Sequence, residues 1–370
     1  MRDKWIAFYV SSHGFGHMTR NLAIMEEILE KTENSIYLAS GKFQNQFAKS
    51  YLSKYKDRVL FTDLCTDVGL INQQNSLKVD VKRLEESLNK FIDSWEAVVA
   101  EEYEILKKLS VHCIINDVSP IGALVGKKLK IKTIGISNFT WVEQYEFLGV
   151  RESIIEAFKD AYSNLDIFMT YPLALPMTEM KVPSKKIDFI TRNIDLEKIN
   201  KIKEKYGDSI FITCGKSASL KSITIENYKG TIFTTSGIKI LGSSRVVQLP
   251  VNTLDTQNYI AASDVVISKA GWSTISEAVT AKRNLVLIER DDILEDSYNI
   301  RQLKKQHLAI SIKEEALRRL DMQEIELQCK QDIKQEENEL YQKENSGILE
   351  ELGIFKECSR SKWDFKEPSQ

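Results

Sequence analysis

The chain has 370 residues, of which 42% are hydrophobic and 28% are charged, and its formal net charge is −2 at pH 7. This length exceeds one ordinary hydrophobic core, so we expect two domains. The near-balanced charge argues against nucleic acid as a partner. No apolar run approaches the length of a membrane span and no secretory signal opens the sequence, while peripheral membrane contact stays open.

The five cysteines are scattered along the chain and odd in number. This pattern argues against a disulfide framework and favours a reduced, cytoplasmic protein. Cys113 and Cys214 lie within apolar runs typical of strands, so we expect both thiols to be buried.

In the first half of the chain, continuous apolar runs alternate with helix-like segments. Apolar runs without polar alternation are typical of parallel strands that are buried on both faces. The predicted strands are residues 5–10, 35–39, 58–61, 113–116, 133–136 and 167–170, and the predicted helices are residues 19–30, 81–109, 120–129 and 152–163.

The second half repeats this alternation. Its predicted strands are residues 209–213, 231–234, 245–249, 264–268, 284–288 and 308–312, and its predicted helices are residues 255–262, 272–281 and 295–305. The sequence therefore predicts an α/β protein with two Rossmann-like, doubly wound domains.

A stretch with several prolines separates the two halves. Pro172, Pro176 and Pro183 are half of the six prolines in the chain, and residues before proline favour extended conformations. We place the boundary between residues 171 and 184, with an N-terminal domain at 1–175 and a C-terminal domain at 185–345. Residues 346–370 form a tail.

The turn between the first strand and the first helix contains Gly14, Gly16 and His17. Glycines at such a turn let a ligand approach the backbone closely, and a histidine there can take a proton from a bound group. The turn does not match a dinucleotide-binding fingerprint, because Thr19 stands at the third glycine position. A helix-capping or merely exposed histidine is the alternative interpretation of His17.

Asp117 ends the strand predicted at residues 113–116. Ligands of open α/β sheets bind at the carboxyl ends of strands, where His17 also lies, so the two side chains could meet. A carboxylate bonded to an imidazole fixes its tautomer and stabilises the imidazolium formed during proton abstraction. The alternative is that Asp117 caps the helix that begins near Pro120.

A second strand–turn–helix segment contains Lys269, Gly271, Ser273, Thr274 and Glu277. Free N–H groups at the start of its helix form an anion site suited to a diphosphate. The two hydroxyls and the lysine add donors and charge, and the glutamate can accept hydrogen bonds from two ribose hydroxyls. Alternatively, the glutamate only complements the helix dipole.

Together these two turns resemble those of nucleotide-sugar glycosyltransferases of the GT-B fold. Residues 13–20 are similar to the first loop of that group, where a Gly-His pair carries the base. Residues 271–277, with Trp272 in second place, are similar to its donor signature Gly-Trp/Ala-x-Ser/Thr-x-x-Glu. The resemblance covers about residues 5–355. The sequence particularly resembles predicted glycosyltransferases related to the N-terminal half of L-arabinokinase, which share the loop His-Gly-Phe-Gly-His-x-Thr-Arg.

The resemblance implies further site residues. It places Gly215, Lys216 and Ser217 near the diphosphate, Val251 at the base, and Arg290, Asp292, Glu295 and Asn299 near the donor sugar. For the last four, an ordinary solvated helix start is the alternative. Asn138 and Trp141 follow a strand end and are weaker candidates for acceptor binding. Because GT-B chains commonly end by crossing back, the tail at 346–370 is expected to return to the N-terminal domain.

These expectations combine into one function. The resemblance implies an inverting transferase that moves a sugar from a nucleoside diphosphate sugar, with UDP as the nucleotide, to an acceptor hydroxyl, with His17 as base. The start of the second turn's helix would stabilise the leaving diphosphate, so neither a metal nor another cofactor is expected. A nucleotide-sugar hydrolase or epimerase on the same fold, or a non-catalytic nucleotide-sugar-binding protein, are the alternatives.

Overall fold

A computed structural model describes residues 4–73, 79–214, 220–242, 245–290 and 293–334 of the chain. Gly215, Lys216, Ser217, Asp292 and the tail at 346–370 lie outside these residues, so their predicted roles stay predictions. Within the described ranges, no helix combines the length and the apolar character needed to cross a bilayer.

The first half of the chain forms a seven-stranded, entirely parallel sheet. Its strands are β1 (Trp5–Val10), β2 (Ser35–Ser40), β3 (Val59–Asp63), β4 (Val111–Asp117), β5 (Lys132–Ser137), β6 (Ile167–Thr170) and β7 (Ser184–Lys186). The strand order is β3-β2-β1-β4-β5-β6-β7. The helices of this half are α1 (Gly16–Lys31), α2 (Lys42–Tyr51), α3 (Val81–Leu106), α4 (Pro120–Leu129), α5 (Trp141–Phe147) and α6 (Glu152–Tyr162).

The central strand β1 shows why this sheet needs cover on both faces. Ile6 and Phe8 belong to one buried apolar cluster, and Ala7 and Tyr9 belong to another. A strand with apolar side chains on both faces is stable only between two layers of helices, so the prediction of a doubly covered parallel sheet is confirmed.

The second half forms a six-stranded parallel sheet and a small three-stranded one. Its strands are β8 (Ser209–Thr213), β9 (Leu220–Glu226), β10 (Thr231–Thr234), β11 (Ile238–Leu241), β12 (Val246–Gln248), β13 (Val265–Lys269), β14 (Asn284–Ile288), β15 (Ala309–Ile312) and β16 (Leu320–Asp321). The orders are β12-β10-β8-β13-β14-β15 and β11-β9-β16. The helices are α7 (Leu196–Tyr206), α8 (Thr256–Ala262), α9 (Trp272–Thr280), α10 (Leu294–Lys305) and α11 (Met322–Asp332).

The chain adds one more strand to the first sheet after the proline-containing stretch. Strand β7 pairs with β6 at the edge of that sheet, with Phe168 opposite Ser184. The first sheet therefore includes residues on both sides of the predicted boundary at 171–184. The division of the chain into domains stays a prediction.

The predicted burial of two cysteines is confirmed. Cys113 and Cys214 are both buried, and Cys65 is exposed. Cys65, Cys214 and Cys329 are free thiols.

Candidate functional site

The carboxyl ends of the two large sheets border one cavity of about 470 Å³. In the first sheet, β1 lies between β2 and β4, so the chain leaves β1 toward one side and returns on the other. In the second sheet the same reversal occurs between β8 and β13. Ligand crevices of open α/β sheets form at such switch points, and here both switch points contribute to the same cavity.

Strand pairing brings His17 and Asp117 together. Val10, the last residue of β1, is the parallel partner of Asp117 at the end of β4. His17 stands in the first turn of α1, which follows β1 after a five-residue turn. Its Nδ1 atom lies 2.9 Å from Oδ1 of Asp117. Nε2, the opposite ring nitrogen, is then the one available to a molecule in the cavity.

The alternative role for Asp117, capping α4, is taken by another residue. Ser119 is the N-cap of α4, and its Oγ accepts a hydrogen bond from the N–H of Gly122 at 3.3 Å. Between them Val118 has a φ of 54°, a conformation that is rare for a β-branched residue. Because Ser119 caps the helix, the Asp117 side chain is not needed there and contacts His17.

Arg20 and Asn21, which the sequence analysis did not single out, complete the environment of Asp117. Nε of Arg20 donates to Oδ2 at 2.8 Å and Nη2 donates to Oδ1 at 2.6 Å. Nδ2 of Asn21 donates to Oδ2 at 2.6 Å. The spacing from His17 offered a signal, because residues three and four positions later share its face of a helix.

This environment keeps Asp117 ionised. Burial alone would raise the pKa of the carboxyl, but the nearby charges of Arg20 and His17 and their hydrogen bonds hold that pKa well below its usual range. The carboxylate is fully buried. The carboxylate is therefore a negative charge beside the imidazole at neutral pH.

His13 is a second histidine of the first turn that borders the cavity. Burial and the positive charges of Lys269, His17 and Arg290 lower its pKa to about 4. Gly69 fixes the ring from one side: its φ is +68°, and a Cβ there would lie 2.3 Å from Nδ1 of the histidine. His13 is therefore neutral near pH 7.

The first turn of α9 also faces the cavity, through Gly271, Ser273 and Thr274. Gly271 is the N-cap and provides no side-chain cap to the helix N–H groups. The Ser273 hydroxyl donates to the carbonyl of Gly16 at 2.7 Å, so this predicted donor-binding group contacts the start of α1. The two helix starts, α1 and α9, thus meet directly at the cavity.

Trp272 has a different environment from the one predicted. It borders the cavity but is only 2% exposed. Its ring stacks on Tyr171 with 4.4 Å between centroids, and its Nε1 donates to the carbonyl of Pro172 at 2.7 Å. The side chain therefore joins α9 to the stretch after β6, and its role in donor binding stays a prediction.

Glu277 borders the cavity, as its predicted role requires. It is paired with Arg192, which the sequence analysis missed: Nε and Nη2 of the arginine lie 2.9 and 2.8 Å from Oε1. Both side chains are nearly buried. Burial raises the pKa of the Glu277 carboxyl and the charge of Arg192 opposes that effect. Nη1 of the arginine donates to the carbonyl of Leu254, which fixes the pair in place.

Four more of the predicted site residues also lie at the cavity. Lys269, Arg290, Val251 and Glu295 border the cavity. Arg290 is held there by an ion pair with Asp296, in which Nε lies 2.6 Å from Oδ2. Burial lowers the pKa of Lys269, with a further contribution from Arg290. Two cationic side chains and the carboxylate of Glu295 therefore border this part of the cavity.

Asn299 and Asn138 are corrections. Asn299 is fully buried, and its Nδ2 donates to the carbonyl of Ala270 at 2.9 Å, so it shapes the turn before α9. Asn138 is also fully buried, with Oδ1 bonded to Arg20 and Nδ2 bonded to Glu295, both at 2.9 Å. Neither amide is available to a substrate. They support the residues that are.

Trp141, the other predicted acceptor residue, borders the cavity and is only 2% exposed. Its Nε1 donates to Oδ2 of Asp67 at 2.8 Å, and its ring packs edge-on against His13 and Phe139. Phe139 in turn packs edge-on against His17 at 5.8 Å. These aromatic contacts hold both histidines of the first turn in place.

Metal binding has no obvious location in the described ranges, where no group of three or more His, Cys, Asp and Glu side chains is placed to hold an ion. Independence from metals stays a prediction.

Comparisons with known proteins connect this site to sugar transfer. Residues 193–352 match the family model described as Glycosyltransferase family 28 C-terminal domain. The chain is 24% identical over 312 residues to L-arabinokinase of Arabidopsis thaliana, a match that covers 79% of the chain and 29% of that protein. The chain thus spans under a third of the length of this curated relative.

Solved structures share the fold at low sequence identity. The chain is similar to Arabidopsis thaliana UGT89C1 complexed with UDP, with a TM-score of 0.58 and 11% identity over 90% of this chain and 92% of that one. It is also similar to Phytolacca americana UGT2 complexed with UDP-2fluoro-glucose and pterostilbene, with a TM-score of 0.56 and 10% identity over 85% and 87%. CalG4, the calicheamicin glycosyltransferase, gives a TM-score of 0.56 at 11% identity over 86% and 87%.

Proposed function

We propose that this chain, which is a glycosyltransferase of the GT-B fold, transfers a sugar from a UDP-sugar to an acceptor hydroxyl with inversion at the sugar carbon. The observation that carries the proposal is the single cavity bordered both by His17 and by the first turn of α9. A general base and an anion-binding helix start that border the same cavity are what a displacement of a diphosphate requires.

His17 is the base in this proposal. The acceptor O–H gives its proton to Nε2 as the acceptor oxygen bonds to the sugar carbon, and the bond from that carbon to the diphosphate oxygen breaks. Asp117, 2.9 Å from Nδ1, holds the imidazole in the tautomer that has a lone pair on Nε2. The electron pair of the broken bond leaves with the diphosphate.

The diphosphate lies at the N-terminus of α9. The helix N–H groups, the hydroxyl of Thr274 and the charges of Lys269 and Arg290 border that part of the cavity. Preorganised donors of this kind stabilise the charge that develops on a leaving group without a metal ion. Glu277, oriented by Arg192, accepts hydrogen bonds from the ribose. Val251, which is 63% exposed at the cavity, lies against the nucleobase of the donor.

The structural neighbours favour UDP as the nucleotide of the donor. The structural neighbours include complexes with UDP, UDP-L-rhamnose and UDP-2fluoro-glucose. The family model that matches residues 193–352 describes a glycosyltransferase C-terminal domain, and α9 lies in that range. The free thiols favour a cytoplasmic location for the reaction.

The test begins with binding and ends with product analysis. Thermal unfolding is measured with UDP, UDP-glucose, ADP and GDP, since a ligand at a hundred times its dissociation constant adds about 2.7 kcal/mol to the free energy of unfolding. The stabilising UDP-sugar is then incubated with and without an acceptor panel, with and without EDTA, and products are analysed by mass spectrometry and NMR of the anomeric centre.

Each product pattern has one interpretation. Acceptor-dependent release of UDP with an inverted glycoside supports the proposal. Release of free sugar at the same rate without acceptor indicates a hydrolase, and a changed sugar still attached to UDP indicates an epimerase. Stabilisation by UDP without any turnover indicates a binding protein. A loss of transfer in EDTA that added metal restores would contradict the metal-free mechanism.

A further inference from the structure

Arg20 makes a denser set of contacts than any role in packing requires. It is 3% exposed on α1, one helical turn after His17. Its guanidinium bonds both carboxylate oxygens of Asp117. On its other side it lies 5.1 Å and 5.5 Å from the ring centroids of Tyr171 and Trp272. A buried arginine held between a carboxylate and two aromatic rings has a fixed position.

A count of donors and acceptors assigns the tautomer of His17. Nη2 of Arg20 lies 2.6 Å from Oδ1 of Asp117, 2.8 Å from Oγ of Ser137 and 2.7 Å from Nδ1 of His17. It has only two hydrogens for these three neighbours. With the imidazole proton on Nδ1, Nη2 donates to the carboxylate and the serine, and the histidine donates to the carboxylate.

In this arrangement Asp117 is saturated. Oδ1 accepts from His17 and from Nη2 of Arg20, and Oδ2 accepts from Nε of Arg20 and from Nδ2 of Asn21. A carboxylate has about four lone-pair sites, and all four are used. The opposite tautomer would let Nη2 donate to Nδ1 but would lose two of these bonds, the one from His17 to Asp117 and one of the two from Nη2, so the count favours the tautomer with the lone pair on Nε2.

The charges have a second consequence. A histidine beside a buried, otherwise unpaired carboxylate is stabilised as an imidazolium, which is a proton-loaded and inactive base. Here the guanidinium already neutralises Asp117 and lies 2.7 Å from the imidazole. A second positive charge on His17 would therefore be opposed by the first.

Four other titratable side chains lie near His17, each in a different segment of the chain. His13 precedes α1 and is neutral near pH 7. Asp67, in the loop after β3, is buried, and burial raises its pKa. Glu295 of α10 bonds to Asn138, which in turn bonds to Arg20. Lys269 of β13 lies across the cavity. Of the positive groups, the guanidinium is the one that contacts the imidazole.

We propose that Arg20 is a positioning residue that keeps His17 available as an unprotonated base. By pairing both oxygens of Asp117, it orients the carboxylate that fixes the imidazole tautomer and prevents that carboxylate from holding the histidine as an imidazolium. The inference rests on the proposed transfer reaction, in which Nε2 of His17 takes the acceptor proton.

The experiment separates the charge of Arg20 from its shape. Arg20→Met and Arg20→Gln remove the charge, and the glutamine keeps a donor for Asp117 if the methionine variant does not fold. Arg20→Lys keeps the positive charge but cannot reproduce the paired hydrogen bonds of the guanidinium to both oxygens of Asp117. Arg192→Met is the matched control, because Arg192 is also a buried arginine that pairs with a buried carboxylate, that of Glu277. The protein carries ¹⁵N-labelled histidine and no ligand.

Histidine NMR is practical because the chain has only four histidines, and the His17 signals are assigned by their loss in His17→Gln. In the wild type, Nε2 of His17 should show the shift of an unprotonated nitrogen at pH 7. In both neutral variants the signal should change at a pH at least one unit higher, a tenfold change in proton affinity or about 1.4 kcal/mol. The acid limb of kcat/KM should move by the same amount.

The lysine variant and the control should keep the wild-type titration, although kcat of Arg20→Lys is expected to fall. Equal titration in wild type and neutral variants would overturn the inference and leave Arg20 a packing residue. A wild-type signal showing a proton on Nε2 at pH 7 would overturn it as well. Because the NMR measurement requires no turnover, it is independent of the proposed function, which fails instead if His17→Ala retains turnover.

Discussion

Replacing His17 with alanine tests the proposed base with little disturbance to the fold. The side chain gives one of four hydrogen bonds that Asp117 accepts, and the three from Arg20 and Asn21 remain. The loss of one hydrogen bond to a charged group reduces stability by about 1–3 kcal/mol. The carboxylate is not left unpaired, so the variant should fold.

The catalytic effect should be larger and should leave donor binding unchanged. General base catalysis contributes about 10²–10⁴ in rate, which corresponds to about 2.7–5.4 kcal/mol in the barrier. The start of α9, Lys269 and Glu277 border the cavity from elements other than α1, so the substitution should leave their positions unchanged. We therefore expect kcat to fall by that factor, with the dissociation constant of UDP within about threefold of wild type, or about 0.6 kcal/mol.

Initial rates of UDP release and calorimetric titration with UDP measure the two effects separately. His307→Asn is the control, since this histidine follows α10 with a φ of 55° that asparagine adopts. A His17→Ala enzyme with near-normal kcat would remove His17 from the mechanism. A UDP affinity lowered tenfold or more with normal kcat would make it a binding residue.

Four further results are expected. Asp117→Asn should slow transfer less than His17→Ala in the same rate assay, and an unchanged rate would leave the carboxylate without a catalytic role. Glu277→Ala should weaken UDP binding by roughly 10-fold or more, as expected for a lost hydrogen bond to a charged group, and an unchanged dissociation constant by calorimetry with intact circular dichroism would place the ribose elsewhere. Because the pKa of His13 is lowered to about 4 from about 6.5 in unfolded chains, the unfolded state binds more protons between these values, so the free energy of unfolding should decrease as pH falls from 6.5 to 4. His13→Asn should reduce this pH dependence in urea unfolding, and an identical slope would contradict the assignment. UDP-sugar binding should close the cavity by hinge bending near residues 171–184, and an unchanged radius of gyration in small-angle scattering at saturating donor would argue against closure.

The sequence alone determined the secondary structure that local pattern controls. Continuous apolar runs located β1, β6 and β8 residue for residue, because a strand buried on both faces requires apolar side chains at every position. The small sheet of β9, β11 and β16 was not predicted. Ile223 and Ile225 of β9 are buried while the residue between them is only partly buried, and such an alternating segment between glycines and lysines resembles a loop.

The sequence also located most residues that border the cavity, because glycine turns before helices mark the places where backbone N–H groups are free. His17, Gly271, Thr274 and Glu277 all face it. Trp272 borders it too, but only the structure shows that its ring stacks on Tyr171. Which neighbour a side chain contacts depends on elements that are distant in the chain.

Only the tertiary structure decided how the charged groups pair. Asp117 meets His17 because β4 lies beside β1 in parallel register, and strand order is not encoded in any local segment. Arg192 and Glu277 are 85 residues apart in the chain, a separation that no periodic sequence pattern connects. Buried charges require partners of opposite sign wherever the fold brings them together. The sequence therefore supplied the chemical groups, and the packing of the two sheets determined which of them interact.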